Sequence, residues 1–459
     1  MTSLPAQPAH GLTRTMHGFG ALLITLSCLS PSIGVFIVGS DIIRQAGTGV
    51  FACFVGAALV GVLMANVYAE LISAFPDTGA EYTIVGKTLG PTAGFATLGL
   101  LLAGFTIGMA LSALGIASYL RVIAPGLGTT PTAVVVVLLV TAIAVLNIQI
   151  NALVTGIFLS LEVLSLVLLT CLGLFHPHRG LSAVLHPVAL IHGLQLAPTS
   201  LALMGAAGAG ALYAFNGYGG VVSLTEEMHE APRRVAGVIF WALGLAALFQ
   251  LGPVLSMVLG APDLPALIRA PAPAPYFIGV TGGRTLAVVM SLAVAMAIFN
   301  ANIAVALMAG RQLYATGRDG VWTPGLNRAF SAIHPRLNSP WIATITMGAV
   351  TLFWCFLPLR ILVIVIAGGT VWIYSGLCLA VMAGRRRGVT DHSLYRLPLF
   401  PVIPILTLLI LAGVAWTSLS DADGRVGILA SGAIVLVSIA LYRFVLRQRG
   451  DWAHRGPSD

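Results

Sequence analysis

The sequence predicts an all-α, polytopic membrane protein of about twelve transmembrane helices. Three observations predict it. Of 459 residues, 58% are hydrophobic and only 8% charged, where soluble domains carry about 25% charged residues. The mean hydropathy is +0.97. Apolar runs also repeatedly reach the ~20 residues needed to cross a hydrocarbon core. They fall at 20–44, 46–75, 92–120, 132–150, 152–175, 198–222, 234–260, 284–310, 340–358, 360–384, 399–419 and 426–446.

An even number of spans puts both termini on one side. That side and its links hold sixteen of the 23 Lys and Arg residues, so the positive-inside rule orients both ends in the cytoplasm. The net charge of +8 is therefore a topology signal, and no nucleic-acid partner is expected. The chain then reads as a cytoplasmic tail (1–19), a transport core (20–384), two further helices with their connecting loop (385–446) and a second tail (447–459). A polar, proline-bearing start and a long first span argue against a cleavable signal peptide. Cys28, Cys53, Cys171, Cys355 and Cys378 lie in apolar spans and are expected as buried thiols without a disulfide framework.

Span one contains "CLSPSIGVFIVGS", with Ser30, Pro31, Ser32 and Gly34 inside five positions. Proline removes a donor and glycine loosens the backbone, so the helix is expected to break there. Span two leaves the membrane into "FPDTGAEYTIVGKTLGP". Its Glu70, Asp77 and Glu81, with Lys87, are expected as inner-gate or fold contacts rather than substrate ligands. Two long outer links, 176–198 and 261–284, are expected to hold short surface helices over the mouth of a cavity. Span six has a second cluster at Asn216–Gly220, five helices after the first. Five is odd, so two such units, about 20–175 and 198–384, are inverted relative to each other. Interrupted helices at matching places of inverted halves point to a transporter binding site. A broken helix leaves unpaired backbone groups that lipid cannot satisfy, and free amides at a half-helix end suit a carboxylate.

Span five carries Glu162 near its midpoint, the one ionisable side chain deep in any span. A charge there costs about 2.5–3.5 kcal/mol on insertion scales and marks ion or proton pathways. Desolvation favours the protonated acid, and Glu162 is expected to cycle a proton with the inward–outward switch. The competing expectation is a permanently protonated residue bridging two helices. Glu226, Glu227 and Glu230 beside Arg233 and Arg234 are expected as a solvated, ion-paired face. Asn66, Asn300 and Asn302 are expected as interhelical hydrogen-bond partners.

Enzyme signatures are missing: "EYTIVGKT" has Glu81 where a phosphate-binding loop needs glycine, and "GAAGAGALY" lacks the strand–helix context of a dinucleotide fold. No soluble stretch is long enough for a nucleotide-binding domain. His176 and His178 lack metal-site spacing. No cofactor or metal is expected, and the chain is not expected to be an enzyme.

Four stretches in order resemble the amino acid–polyamine–organocation superfamily of permeases. They are "SPSIGVF", "YAELISAFPDTGAEYTIVGKTLGPTAGF", "YAFNGYGGVVSLTEEMHEAPRRV" and "NANIAVALMAGRQLYATGRDGVWTP". The resemblance covers about 18–446. It implies a five-plus-five inverted repeat with two additional C-terminal helices, discontinuous helices one and six, and secondary active transport of an amino acid or related small amine. It places the substrate carboxylate on the amides around Ser32, Ile33 and Gly34, with Ser30 adjacent. The substrate amino group would meet carbonyls near Phe215, Asn216 and Gly217, with Tyr218 and Gly219 completing the set and Phe215 as an outer gate. Many relatives carry a glutamate after the Gly–aromatic pair of span six, where this chain reads Gly217-Tyr218-Gly219. Several have a lysine where Glu162 stands. Expected partners are the small-molecule substrate, a proton and the lipid of an inner or plasma membrane. Sodium coupling is less favoured, because "VAMAIFNANIAVALMAG" in span eight has no hydroxyl pair. Exchange without proton coupling remains the alternative; a channel or intramembrane enzyme is more remote, because paired helix breaks suit a carrier.

Overall fold

A computed structural model describes residues 18–75, 80–146, 152–191, 195–217, 221, 231–337 and 339–447. Helices dominate: α1 (Gly18–Leu29), α2 (Ser40–Ala46), α3 (Val50–Ala74), α4 (Ala80–Leu89), α5 (Pro91–Ile123), α6 (Thr129–Val145), α7 (Ala152–Leu174), α8 (Ser182–Leu185), α9 (Leu201–Ala214), α10 (Ala231–Gly260), α11 (Leu264–Arg269), α12 (Pro273–Arg318), α13 (Pro324–Phe330), α14 (Trp341–Trp354), α15 (Leu359–Arg386), α16 (Val402–Ser420) and α17 (Ala422–Leu441). Among the described residues, eight segments are long and apolar enough to cross a membrane, the first running from Gly20 to Ala74 and holding two of the expected spans. Three shorter apolar helices, α6, α9 and α14, add to them. The protein is a polytopic, all-α membrane protein.

Span one is not a continuous α-helix. α1 stops at Ser30, which takes φ 37°, and Ile33–Gly39 then winds as a wider π-helix before α2. A side chain held at such a φ costs on the order of 1–3 kcal/mol, so neighbouring contacts must over-determine it. Proline at 31 has no amide to give, as the sequence anticipates. α12 is kinked just before span eight, where Gly283 (φ 79°) separates a short first piece from the long run of the helix.

The link 261–284 holds α11 and the start of α12, but their Leu267, Phe277 and Ile278 are buried rather than at the surface. The link 176–198 does not consist of surface helices. Beyond the single turn of α8 it forms an antiparallel hairpin of β1 (Val188–Ile191) and β2 (Gln195–Pro198). The reason is an apolar run, Val188-Ala-Leu-Ile191, that docks on a neighbour: Val188 N–H donates to Thr48 Oγ1 at 2.9 Å, and Thr199 Oγ1 donates to the Ala46 carbonyl. Gly47 lies under the strand at φ 57°, where an added Cβ would sit 2.0 Å from the Val188 oxygen.

α5 packs on α12, α3 and α7 on α10, and α15 on α17. The α7–α10 seam is tight: a Cβ on Gly260 would lie 2.3 Å from the Gly173 Cα, and one on Gly173 2.1 Å from the Ser256 carbonyl oxygen. Ser256 Oγ donates to the Leu169 carbonyl and accepts from the Gly173 amide. Small residues let helix backbones approach this closely without water to drive them together.

Near the end of α3, Glu70, one of the acids expected as gate or fold contacts, makes fold contacts. Arg385 grips the Glu70 carboxylate with two bonds, at 2.8 and 2.6 Å, while Leu397 N–H donates to the same group. Tyr395 donates to Asn66 Oδ1 at 2.7 Å. Asn302 Nδ2 reaches the Met109 carbonyl across the α12–α5 interface, as expected of an interhelical partner. Asp77 and the Glu226–Glu230 group lie outside the described residues.

Candidate functional site

The end of α1 meets the end of α9. A Cβ on Gly217, just after α9, would fall 2.7 Å from the Leu29 Cα at the end of α1. Each broken end is closed by a side chain from another helix. At the first, the fully buried carboxylate of Glu162 on α7 accepts from the Ser32 amide at 2.8 Å and the Ser30 hydroxyl at 3.1 Å, both on Oε1. A hydrogen bond contributes about 0.5–1.5 kcal/mol net, so two of them are of the size needed to offset the backbone cost at Ser30. At the second, Gln250 on α10 donates its amide to the Ala214 carbonyl at 3.0 Å. That residue has no solvent exposure, and its carbonyl oxygen lies where a Cβ on Gly34 would be, at 2.7 Å. Gln250 therefore touches both breaks.

Two of the three amides expected to receive a substrate carboxylate are engaged in this conformation. Ser32 N–H serves Glu162, and Gly34 N–H donates to the Ser30 carbonyl at 3.3 Å. The Ser32 hydroxyl is buried without a partner.

Below the breaks lies a cavity of about 180 Å³. Ile33, Gly34, Asn216 and Gly217 line it, while Ser30, Ser32, Glu162 and Phe215 do not. Tyr218 and Gly219 lie outside the described residues. Phe215, expected as a gate, is 1% exposed and packs edge-on against Phe54 of α3, with ring centroids 5.9 Å apart. The aromatic that faces the cavity from α9 is Tyr213. Along α5 the lining runs from Leu100 to Ser112, about 18 Å at 1.5 Å per residue. Most of it is apolar, including Ile107, Val305, Met308, Ile366 and Ile373.

The far end is polar again. Glu81 lines the cavity from α4, with Gln312 from α12. α4 folds back along α5 through the Gly86–Gly94 contact, where a Cβ on Gly94 would lie 2.7 Å from the Gly86 Cα. Burial pushes the Glu81 carboxyl above the usual carboxylate range, offset in part by hydrogen bonds that include one from the Tyr68 hydroxyl at 3.2 Å.

Glu81, Gln250 and Tyr213 are the contributors that the sequence did not single out for the site. Glu81 is visible in the sequence as an acid, but its pattern points to an inner-gate or fold contact rather than to the cavity wall. Gln250 carried a faint signal, a lone amide three residues before Pro253 in an apolar span.

The amino acid permease family matches residues 18–440. The chain belongs to that family. This permease is 26% identical to the branched-chain amino acid permease of Lactococcus lactis, covering 90% of each chain. It is 23% identical to the methylthioribose transporter of Bacillus subtilis, covering 91% of this chain and 93% of that one. Against the low-affinity putrescine importer of Escherichia coli the identity is 24%, covering 83% and 84%. Among solved structures, the manganese transporter of Eremococcus coleocola superposes with a TM-score of 0.56 over 97% of this permease and 99% of that chain, at 13% identity. The likeness is one of fold.

Proposed function

We propose that the permease is a secondary transporter that carries an amino acid or related small amine by alternating access, coupled to protons through Glu162. The observation that carries this reading is the meeting of the interruption in span one with the end of α9 at the head of a largely apolar cavity. Backbone that leaves helical geometry at membrane depth is tolerated where it lines a cavity or is buried in protein. Relatives named for branched-chain amino acids, putrescine and methylthioribose support a small polar solute with an apolar or extended body. The charge asymmetry supports a plasma-membrane orientation with both termini cytoplasmic.

In this mechanism the ionised Glu162 clamps the first break. Protonation turns two charge-assisted bonds into neutral ones of roughly half the strength. The break loosens, and the half-helices around it rock against α5, α6, α12 and α14. One proton driven inward gains about 2.3 kcal/mol per 100 mV. Exchange without proton coupling is the second reading, and the position of Glu162 outside the cavity lining favours it.

The test is uptake into sodium-free proteoliposomes with an inward proton gradient and a panel of labelled amino acids and amines. Saturable accumulation that a protonophore abolishes supports the proton-coupled carrier. Uptake that needs substrate preloaded inside, whatever the gradient, supports the exchanger.

A further inference from the structure

The cavity wall is not confined to the helices expected to form the transport core. α17 lies beyond residue 384, yet its Ser431 and Ile434 line the cavity beside Leu100 and Gly104 of α5 and Gly369 and Ile373 of α15. α17 packs on both of these helices. A Cβ on Gly368 of α15 would lie 2.6 Å from the Gly427 carbonyl oxygen, and one on Gly99 of α5 would run into Ser438 Oγ. Gly427, Ser431, Ile434 and Ser438 follow one another at helical spacing, so one face of α17 carries both seams and the cavity wall.

This part of the cavity is apolar and open. The Ser431 and Thr370 hydroxyls donate to the Gly427 and Ile366 carbonyls of their own helices, at 2.7 and 3.0 Å. The glycines of the lining fall into two kinds. A Cβ on Gly34 or Gly217 would meet protein at 2.7 Å, whereas one on Gly104 would meet no neighbouring atom within 4 Å. Gln312 in the same lining calls for a ligand: it is 8% exposed and its amide nitrogen has no hydrogen-bond partner.

We propose that α17 belongs to the substrate site. Ile434 closes an apolar annexe between α5, α15 and α17 that receives the hydrocarbon body of the transported solute, and Ile434 and Gly104 set the longest body carried. A hydrophobic pocket discriminates one methylene by about 10–200-fold. Trimming Ile434 lengthens the annexe, and a side chain at Gly104 shortens it. The seams matter because a helix free to shift could not measure length. This assignment rests on the carrier reading above and deepens it with two specificity-determining residues, whatever the polar head of the solute.

The test uses two labelled homologous series with proteoliposomes of the full-length permease. One runs through alanine, 2-aminobutyrate, norvaline, norleucine and 2-aminoheptanoate, and the other through the n-alkylamines from ethylamine to hexylamine. Ile434→Ala should raise the ratio of kcat/KM for long over short homologues at least tenfold. Gly104→Leu should lower it at least tenfold, and Gly104→Ala, the milder variant, about threefold. Val437→Ala removes apolar volume from the outer side of α17, where Val437 is 58% exposed, and should leave the ratio in place. A ratio unmoved in folded Ile434→Ala or in a folded Gly104 variant overturns the assignment. So does an equal shift in Val437→Ala, or a uniform change at every length, as a lipid tail seated in the annexe would give. Uptake of other amino acids or amines but of no member of either series sinks this inference and leaves the carrier reading intact. If no compound of the wider panel is accumulated or exchanged, the carrier reading itself fails.

Discussion

The two helix breaks are closed by different chemistry. At Ser30 the seal is an ionisable carboxylate, Glu162, which bonds a backbone amide and a hydroxyl. At Ala214 it is a neutral amide, Gln250, which bonds a carbonyl. A carboxylate can change its charge and an amide cannot. The first break can therefore respond to a proton, while the second responds to packing alone.

The sharpest way to break this comparison is to make the first seal neutral as well. Glu162→Gln is expected to lower proton-driven accumulation at least tenfold in proteoliposomes while substrate exchange persists, because the amide oxygen still accepts from Ser32. Full accumulation in the variant would remove the distinction between the breaks.

Gln250 supports a second test. Gly34→Ala places a methyl group 2.7 Å from the Gln250 carbonyl oxygen, and overpacking of this kind costs about 1–3 kcal/mol. The thermal midpoint should fall, and Gln250→Ala in the same chain should restore part of the loss. Additive losses in the double variant would show that the two residues do not press on each other.

A smaller effect is expected at Ser30. Ser30→Gly relieves the positive φ but deletes the hydroxyl bond to Glu162, and each change is worth about 1 kcal/mol in opposite directions. Stability should stay within about 1 kcal/mol of wild type by chemical denaturation, where a larger loss would mean that the hydroxyl matters more than the strain.

The smallest effect concerns pH. The raised Glu81 carboxyl gives a stability contribution that is full below its unfolded value of about 4.3 and fades as pH rises through the folded value. Glu81→Gln removes that dependence, so the thermal midpoint of the variant should gain on wild type from pH 4 to 8. Parallel curves would show that Glu81 titrates as it does in the unfolded chain.

Much of the fold was legible because its signals are local. Apolar runs of about 20 residues mark spans, and Pro31 with Gly34 marks the first break. Glu162 stood out because a lone acid at that depth is costly. What stayed hidden depends on contacts between distant residues. Phe215 and Tyr213 are two positions apart at the end of α9, and the turn of that helix sends one ring to Phe54 and the other to the cavity. No sequence pattern fixes that rotation. Gln250 reads as one more polar residue until α10 brings it between Gly34 and Ala214. Glu81 belongs to a link by sequence, and the fold of α4 along α5 puts it in the cavity wall. The hairpin at Val188–Pro198 was missed because its pairing is secured by Thr48, 140 residues away.

The glycine seam between α7 and α10 has one more consequence. Glu162 rides on α7 and Gln250 on α10, and these helices meet at Gly173 and Gly260 with no room for a single methyl group between them. Helices locked so closely slide or tilt as one piece. The close contact couples the helix that carries Glu162 to the one that carries Gln250, so a displacement of one is passed to the other at this end.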